Sequence, residues 1–183
     1  VPFNGKYIKN KSEKFLIDEL EKKLINAVKR QLLSDVPLGF FLSGGLDSSI
    51  LVAIARKLYP NKEINCYTIR VESTDGFTDD LYYAKKVAKI LDVNLKIVDA
   101  KIDILDDFDK VIYHLDEPQA DPAPINVYNI CKRARKDGIK VLIGGAGGDD
   151  IFSGYRRHIA LNYENFISTI PPFIRKLIKI IFE

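Results

Sequence analysis

An eight-residue run of mostly small and polar side chains, Leu42-Ser43-Gly44-Gly45-Leu46-Asp47-Ser48-Ser49, sits between an apolar stretch (Val36 to Phe41) and a helix-patterned one (Ile50 to Leu58). A buried strand, a tight loop and a helix N-terminus in direct succession open a βα unit, the building block of parallel sheets. Helix N-termini carry unpaired N–H groups and the positive end of the dipole, so this loop is suited to phosphate. Gly44 and Gly45 let a ligand approach the backbone, and Ser43, Ser48 and Ser49 add hydroxyl groups. Asp47 is the odd member, because a carboxylate repels phosphate. A Mg²⁺ ion between them removes the conflict, since hard cations bridge carboxylates and phosphate oxygens. A Gly-Gly pair alone serves an ordinary turn equally well, with Ser43 as helix cap and Asp47 complementing the dipole. The whole octapeptide in this setting points to phosphate.

The rest of the chain alternates strand and helix patterns. Ser12 opens a helix to Leu33, with Leu16, Leu20, Leu24, Val28 and Leu32 at four-residue spacing on one face. The first strand is Leu38 to Leu42, and a β-branched and aromatic run, Ile64 to Val71, is the second. An acidic loop (Glu72 to Asp79) leads to a helix from Asp80 to Leu91, with Leu81, Ala84, Val87, Ala88 and Leu91 inward. A third strand (Asn94 to Val98), a helix (Asp103 to His114), a proline-punctuated loop (Asp116 to Pro124), a helix (Ile125 to Lys136) and a fourth strand (Lys140 to Ile143) complete the pattern. This order predicts an α/β fold, a Rossmann-like parallel sheet with helices on both faces and ligands at the carboxyl ends of the strands.

A second glycine-rich run continues from the fourth strand: Gly144-Gly145-Ala146-Gly147-Gly148-Asp149-Asp150. Such a run can wrap closely around a nucleotide, and Asp149 is placed to be a second Mg²⁺ ligand beside Asp47. A turn whose acidic pair caps the next helix would use the same residues. Asp116-Glu117-Pro118 reads by itself as a helix stop. Arg156-Arg157-His158 suits a phosphate or a solvated helix start. Lys132-Arg133-Ala134-Arg135-Lys136 reads as a solvated helical face ending favourably at its C-terminus. His114 and His158 stand apart and form no metal cluster.

The first loop resembles the pyrophosphate-binding SGGxDS signature of the N-type ATP pyrophosphatases and lacks the lysine of a Walker A loop. The second run resembles the SGEGADELFGGY segment of the asparagine synthetases, with Gly145, Gly147, Asp149, Phe152, Gly154 and Tyr155 matching. Asp116-Glu117-Pro118 with Ala120-Asp121-Pro122 resembles that family's DEPxADP signature. The resemblance implies an adenine nucleotide alpha hydrolase-like fold and an amide-forming ligase. Such a ligase adenylates a carboxylate, with the aspartate side chain as first candidate, and aminates it with ammonia from glutamine. ATP and Mg²⁺ are the implied cofactors. It implies an ATP site of Leu42, Ser43, Gly44, Gly45, Asp47, Ser48, Ser49, Ile69, Gly144 and Gly145, with Leu42 and Ile69 framing adenine. Asp47 and Asp149 would hold metal, and Asp116, Glu117 and Asp150 would hold the acceptor. Three departures bear on the acceptor. Ala146 replaces the family glutamate, Gly144 a serine, and Arg70 a glycine. A ligase for another carboxylate such as a sugar acid, or a non-catalytic nucleotide-binding module, are the alternatives.

Bulk properties bound the partners. The 183 residues are 46% hydrophobic and 29% charged, ordinary for a globular domain. A net charge of +3 is too mild to argue for nucleic acid. Two widely spaced cysteines, Cys66 and Cys131, suit a reducing, cytoplasmic setting, and no run is long enough to span a membrane. The chain opens on Val1, has no methionine and closes on an apolar tail from Phe173 to Phe182. The expectation is a piece of a longer polypeptide: a helical lead-in (1–35), a synthetase domain (36–183) cut at its C-terminus, and no N-terminal glutaminase domain. Homodimerisation is left open.

Overall fold

The computed structural model describes residues 11–70, 80–100, 104–117, 119, 121, 123–155, 158, 163, 170–171 and 174. The acidic loop at 72–79, Arg156-Arg157 and most of the apolar tail lie outside them. In chain order the elements are α1 (Glu13–Gln31), β1 (Leu38–Phe41), α2 (Leu46–Leu58), β2 (Asn65–Arg70), α3 (Asp80–Leu91), β3 (Asn94–Asp99), α4 (Ile104–Tyr113), α5 (Ala123–Lys136), β4 (Val141–Ile143) and α6 (Gly148–Phe152). The chain forms two compact units, Val1–Gly144 and Gly145–Glu183. The first holds all four strands and α1 to α5; the second holds α6.

The four strands form one parallel sheet ordered β3-β2-β1-β4. Phe40 of β1 lies opposite Cys66 of β2 and Ile143 of β4. Strand side chains alternate between faces, and this period produces two cores. Phe40, Leu42, Ile64 and Cys66 enter one core with Val52 and Ala55 of α2 and Ala84 and Ala88 of α3. Tyr67 enters the other with Ile130 and Ala134 of α5, and Phe41, Ile69, Val98 and Leu142 pack against it. Helices therefore cover both faces of a parallel sheet, the expected class. Strand order reverses at β1: β2 and β3 extend one way and β4 the other. Open α/β sheets bind ligands at such a switch point, outside the carboxyl ends.

Most element ends fall within two residues of the expected spans; the start of α2 and the use of the α1 stripe differ more. Helix α2 begins at Leu46, not Ile50, so Asp47, Ser48 and Ser49 lie in its first turn. Its N-cap is Gly45, extended at φ −67° and ψ 162°, so Ser43 is not the cap. The apolar stripe of α1 is used only in part. Ser12 caps the helix as expected, its Oγ accepting from Phe15 N at 3.3 Å. Val28 is buried and Leu24 and Leu32 are half-buried, but Leu16 and Leu20 each stay 40% exposed. A four-residue repeat marks a face without stating how much of it a neighbour covers.

Candidate functional site

Between β1 and α2 the chain turns through Leu42-Ser43-Gly44-Gly45. Leu42 closes the strand: its N–H donates to Tyr67 O at 2.8 Å and its side chain is fully buried. Gly44 makes the turn at φ +86°, in the left-handed region that side chains resist. It has a second reason to be glycine. A Cβ there would stand 2.5 Å from Ala84 N, 2.7 Å from Tyr83 Cβ and 2.8 Å from Asp80 O. The first turn of α3 is therefore the wall behind the loop.

Hydroxyl groups fix the turn into α2. Ser43 Oγ accepts from Gly45 N at 3.3 Å and lies 3.1 Å from Ser48 Oγ. The Gly45 carbonyl accepts from Ser48 Oγ at 3.2 Å, from Ser49 Oγ at 2.7 Å and from Ser49 N at 3.1 Å. The N–H groups of Leu46, Asp47 and Ser48, as the first three helical positions, have no intrahelical partner. They are aligned with the positive end of the α2 dipole at the carboxyl end of a central strand.

Asp47 is half-buried and, among the described residues, makes no hydrogen bond or ion pair. A free carboxylate in the first turn of a helix whose leading N–H groups are unpaired is a donor that suits Mg²⁺. That ion takes one or two protein carboxylates and completes its shell with water and phosphate oxygens. Among the described residues no group of three or more His, Cys, Asp or Glu side chains could form an all-protein metal cage. The donor set suits an ion carried by a phosphate ligand.

The remaining candidates are spread over both units. Gly144 comes directly after β4, and a Cβ on it would meet Phe41 Cδ2 at 3.3 Å, so it stands beside the end of β1. Ile69 and Leu42 belong to opposite cores, so their side chains do not converge on one ring. Leu42 can meet a nucleotide only through its backbone. Arg70 closes β2 and pairs with Asp99 at the end of β3, at 3.2 Å. Asp116 and Glu117 are exposed and, among the described residues, make no hydrogen bond or ion pair. Asp121 has a structural duty, its Oδ1 accepting from Ala123 N at 2.8 Å at the head of α5. Gly145, Asp149 and Asp150 belong to the second unit. There Gly147 turns at φ +88° into α6, with both aspartates exposed in its first turn. Gly154 packs so closely on Asp149 that any Cβ would overlap Asp149 Oδ1.

The asparagine synthase family matches residues 19–179, most of the chain. The chain belongs to that family. A Bacillus subtilis asparagine synthetase (glutamine-hydrolysing) is 33% identical over 153 residues, which cover 83% of this chain and 23% of that protein. A putative asparagine synthetase of Methanocaldococcus jannaschii is 35% identical over 164 residues, covering 89% of this chain and 31% of its own. This asparagine synthase-family chain thus spans less than a third of either relative's length. The U34-tRNA thiolase of Methanococcus maripaludis shares the fold, with a TM-score of 0.52 at 18% identity, over 83% of this chain and 55% of its own. Among the described residues no helix is long and apolar enough to cross a membrane.

The α3 wall behind Gly44 was not legible in the sequence. A Gly-Gly pair signals a turn, but nothing in 80–84 says that it packs there.

Proposed function

We propose that this chain supplies the nucleotide-activating centre of an ATP-dependent amide-forming ligase, with 36–183 as its synthetase domain and 1–35 as a lead-in. The Ser43–Ser49 loop carries the reading. It combines unpaired first-turn N–H groups, a half-buried unpartnered Asp47 and a position at the switch point of a parallel sheet.

Carboxylates resist ammonia because oxide is a poor leaving group. In the proposed sequence the acceptor carboxylate oxygen attacks the α-phosphorus of ATP, and the α–β bridging oxygen leaves with pyrophosphate. Ammonia then attacks the acyl carbon, AMP departs, and the amide nitrogen loses a proton. The N–H groups of Leu46, Asp47 and Ser48 bind the leaving pyrophosphate, which is electrostatic stabilisation with positioning. Asp47 and Asp149 would hold Mg²⁺, which when bound neutralises pyrophosphate charge. The Leu42 backbone, Ile69, Gly144 and Gly145 would serve the nucleoside, and Asp116, Glu117 and Asp150 would serve the acceptor.

Aspartate is the first acceptor to test, in keeping with the names of the relatives. Ala146 favours a second reading, another carboxylate such as a sugar acid, because a methyl group cannot hold ammonia or take the proton its nitrogen loses after attack, as a glutamate can. In the whole protein, glutamine hydrolysis in a separate domain would supply the ammonia, in the cytoplasm. Calorimetry of ATP binding with and without Mg²⁺, on this chain and on Asp47→Ala, tests the centre. Metal-dependent binding that the substitution abolishes is expected. Binding indifferent to both would leave only a nucleotide-binding scaffold.

A further inference from the structure

Arg56 stands in the last turn of α2, at the opposite end from the phosphate-facing loop. Its guanidinium collects carbonyl oxygens from two segments, 59–62 after α2 and 91–92 at the end of α3. Nε donates to Leu91 O at 2.9 Å, at the end of α3, and Nη2 donates to Asp92 O just beyond it. Nη1 donates to Pro60 O and Lys62 O, each at 2.9 Å, and more weakly to Tyr59 O at 3.4 Å. These include the last carbonyls of a helix, the groups that lack intrahelical donors and carry its negative pole. Asp92 sits at φ +51°, so the chain leaves α3 through a strained residue held in place by the same side chain. Only a planar fork with five donors can reach all these acceptors; a lysine ammonium is a point.

At the other end of the same two helices, α2 begins in the loop and α3 packs against Gly44 with no room for a methyl group. The pair is fixed at both ends, by Arg56 below and by Gly44 above. We propose that Arg56 is a positioning residue for the phosphate-binding loop, acting by holding α3 at the angle that sets the wall behind Gly44. The inference rests on the loop being the nucleotide site. Helix α3 has 12 residues, so it is about 18 Å long, and a tilt of about three degrees moves its first turn by about 1 Å. Misplacement by that amount can weaken a positioned interaction by about 10².

The test compares Arg56→Lys, which keeps the charge and loses the fork, with Tyr67→Phe. The second variant loses the hydroxyl bond from Tyr67 to Asp137 Oδ2 (3.1 Å) on the opposite core. Both will lower the thermal midpoint, so MgATP binding is read well below either transition. Arg56→Lys should weaken MgATP about tenfold or more and speed amide exchange at 43–49 and 80–84, with Tyr67→Phe binding like the parent. Arg56→Gln, which keeps amide donors on a shorter stem, serves if the lysine variant is poorly folded. Parent-like affinity in the Arg56 variants, or an equal loss in Tyr67→Phe, would overturn the proposal. If the parent binds neither ATP nor pyrophosphate, the loop reading fails. Exchange at the two segments then decides the mechanical link by itself, and unchanged exchange refutes it.

Discussion

Gly44 and Gly45 are adjacent and serve different ends. Gly44 combines a left-handed φ with a backbone wall 2.5 Å from where a Cβ would be. Gly44→Ala should therefore cost about 2 kcal/mol or more in urea unfolding, from αL strain and overpacking together. At Gly45 a Cβ would meet only Ser43 Oγ, at 3.4 Å, an ordinary contact. Gly45→Ala should leave stability within about 0.5 kcal/mol, yet weaken MgATP because the methyl group occupies the ligand's approach. Equal losses of stability in the two variants would refute the distinction. Gly154 differs from Gly44: its φ is ordinary and its close neighbour is a side-chain carboxylate, not backbone. A Cβ there must displace the Asp149 carboxylate, so Gly154→Ala should reproduce the defect of Asp149→Asn in pyrophosphate release. A fully active Gly154→Ala would count against Asp149 as a member of the proposed metal-binding pair.

Strand β2 carries groups that stay neutral because they are buried. Burial pushes the Cys66 thiol up to about 12. Burial, aided by the hydrogen bond to Asp137, pushes the Tyr67 hydroxyl to about 12 as well. Both pKa values are raised in the folded chain above ordinary values of 9.0 and 10.0. The stability tied to the protonated groups is complete below those values and lost as pH rises through the folded ones. Thermal midpoints should fall between about pH 9 and pH 12, less steeply in Tyr67→Phe; identical slopes would place the titration elsewhere. These elements were legible because apolar runs alternate with helical periods, and each strand lies close to its expected span. Which face each strand residue takes was harder to read. Leu42 and Ile69 look equivalent as apolar strand-end residues, but their positions in register send them to opposite cores. The start of α2 was missed for a related reason: serine and aspartate are poor interior helix formers and good first-turn residues, so local preference masked the helix. Nothing in the sequence sets Arg56 apart from any cation near a helix C-terminus, since the two partners that tie it to α3, the Leu91 and Asp92 carbonyls, lie 35 and 36 residues away.

At the scale of the whole chain, the site's chemistry was legible where it resides in a contiguous string and lost where it depends on pairing distant ones. The Ser43–Ser49 loop is complete within one turn. The proposed acceptor side would draw on Asp116, Glu117 and Asp150, whose roles no short string determines. The nitrogen source can be argued from the two thiols. Glutamine hydrolysis by a cysteine nucleophile needs a thiolate with access to solvent. Cys66 is fully buried with its thiol pushed to about 12, whereas Cys131 is exposed and its thiol is raised by the part of it that is covered, so neither is poised as a thiolate. These are the two cysteines of the 183 residues. Any amide that this chain forms from MgATP and an accepted carboxylate should come from ammonium salts and none from glutamine. Amide yield should rise with pH from about 7 to 9 as free ammonia replaces ammonium, until unfolding on the alkaline side intervenes. Chromatography of the amide product, with either nitrogen donor at equal concentration, measures this directly. Glutamine-dependent amide formation that disappears in Cys131→Ser would show instead that the exposed thiol of this chain does the hydrolysis.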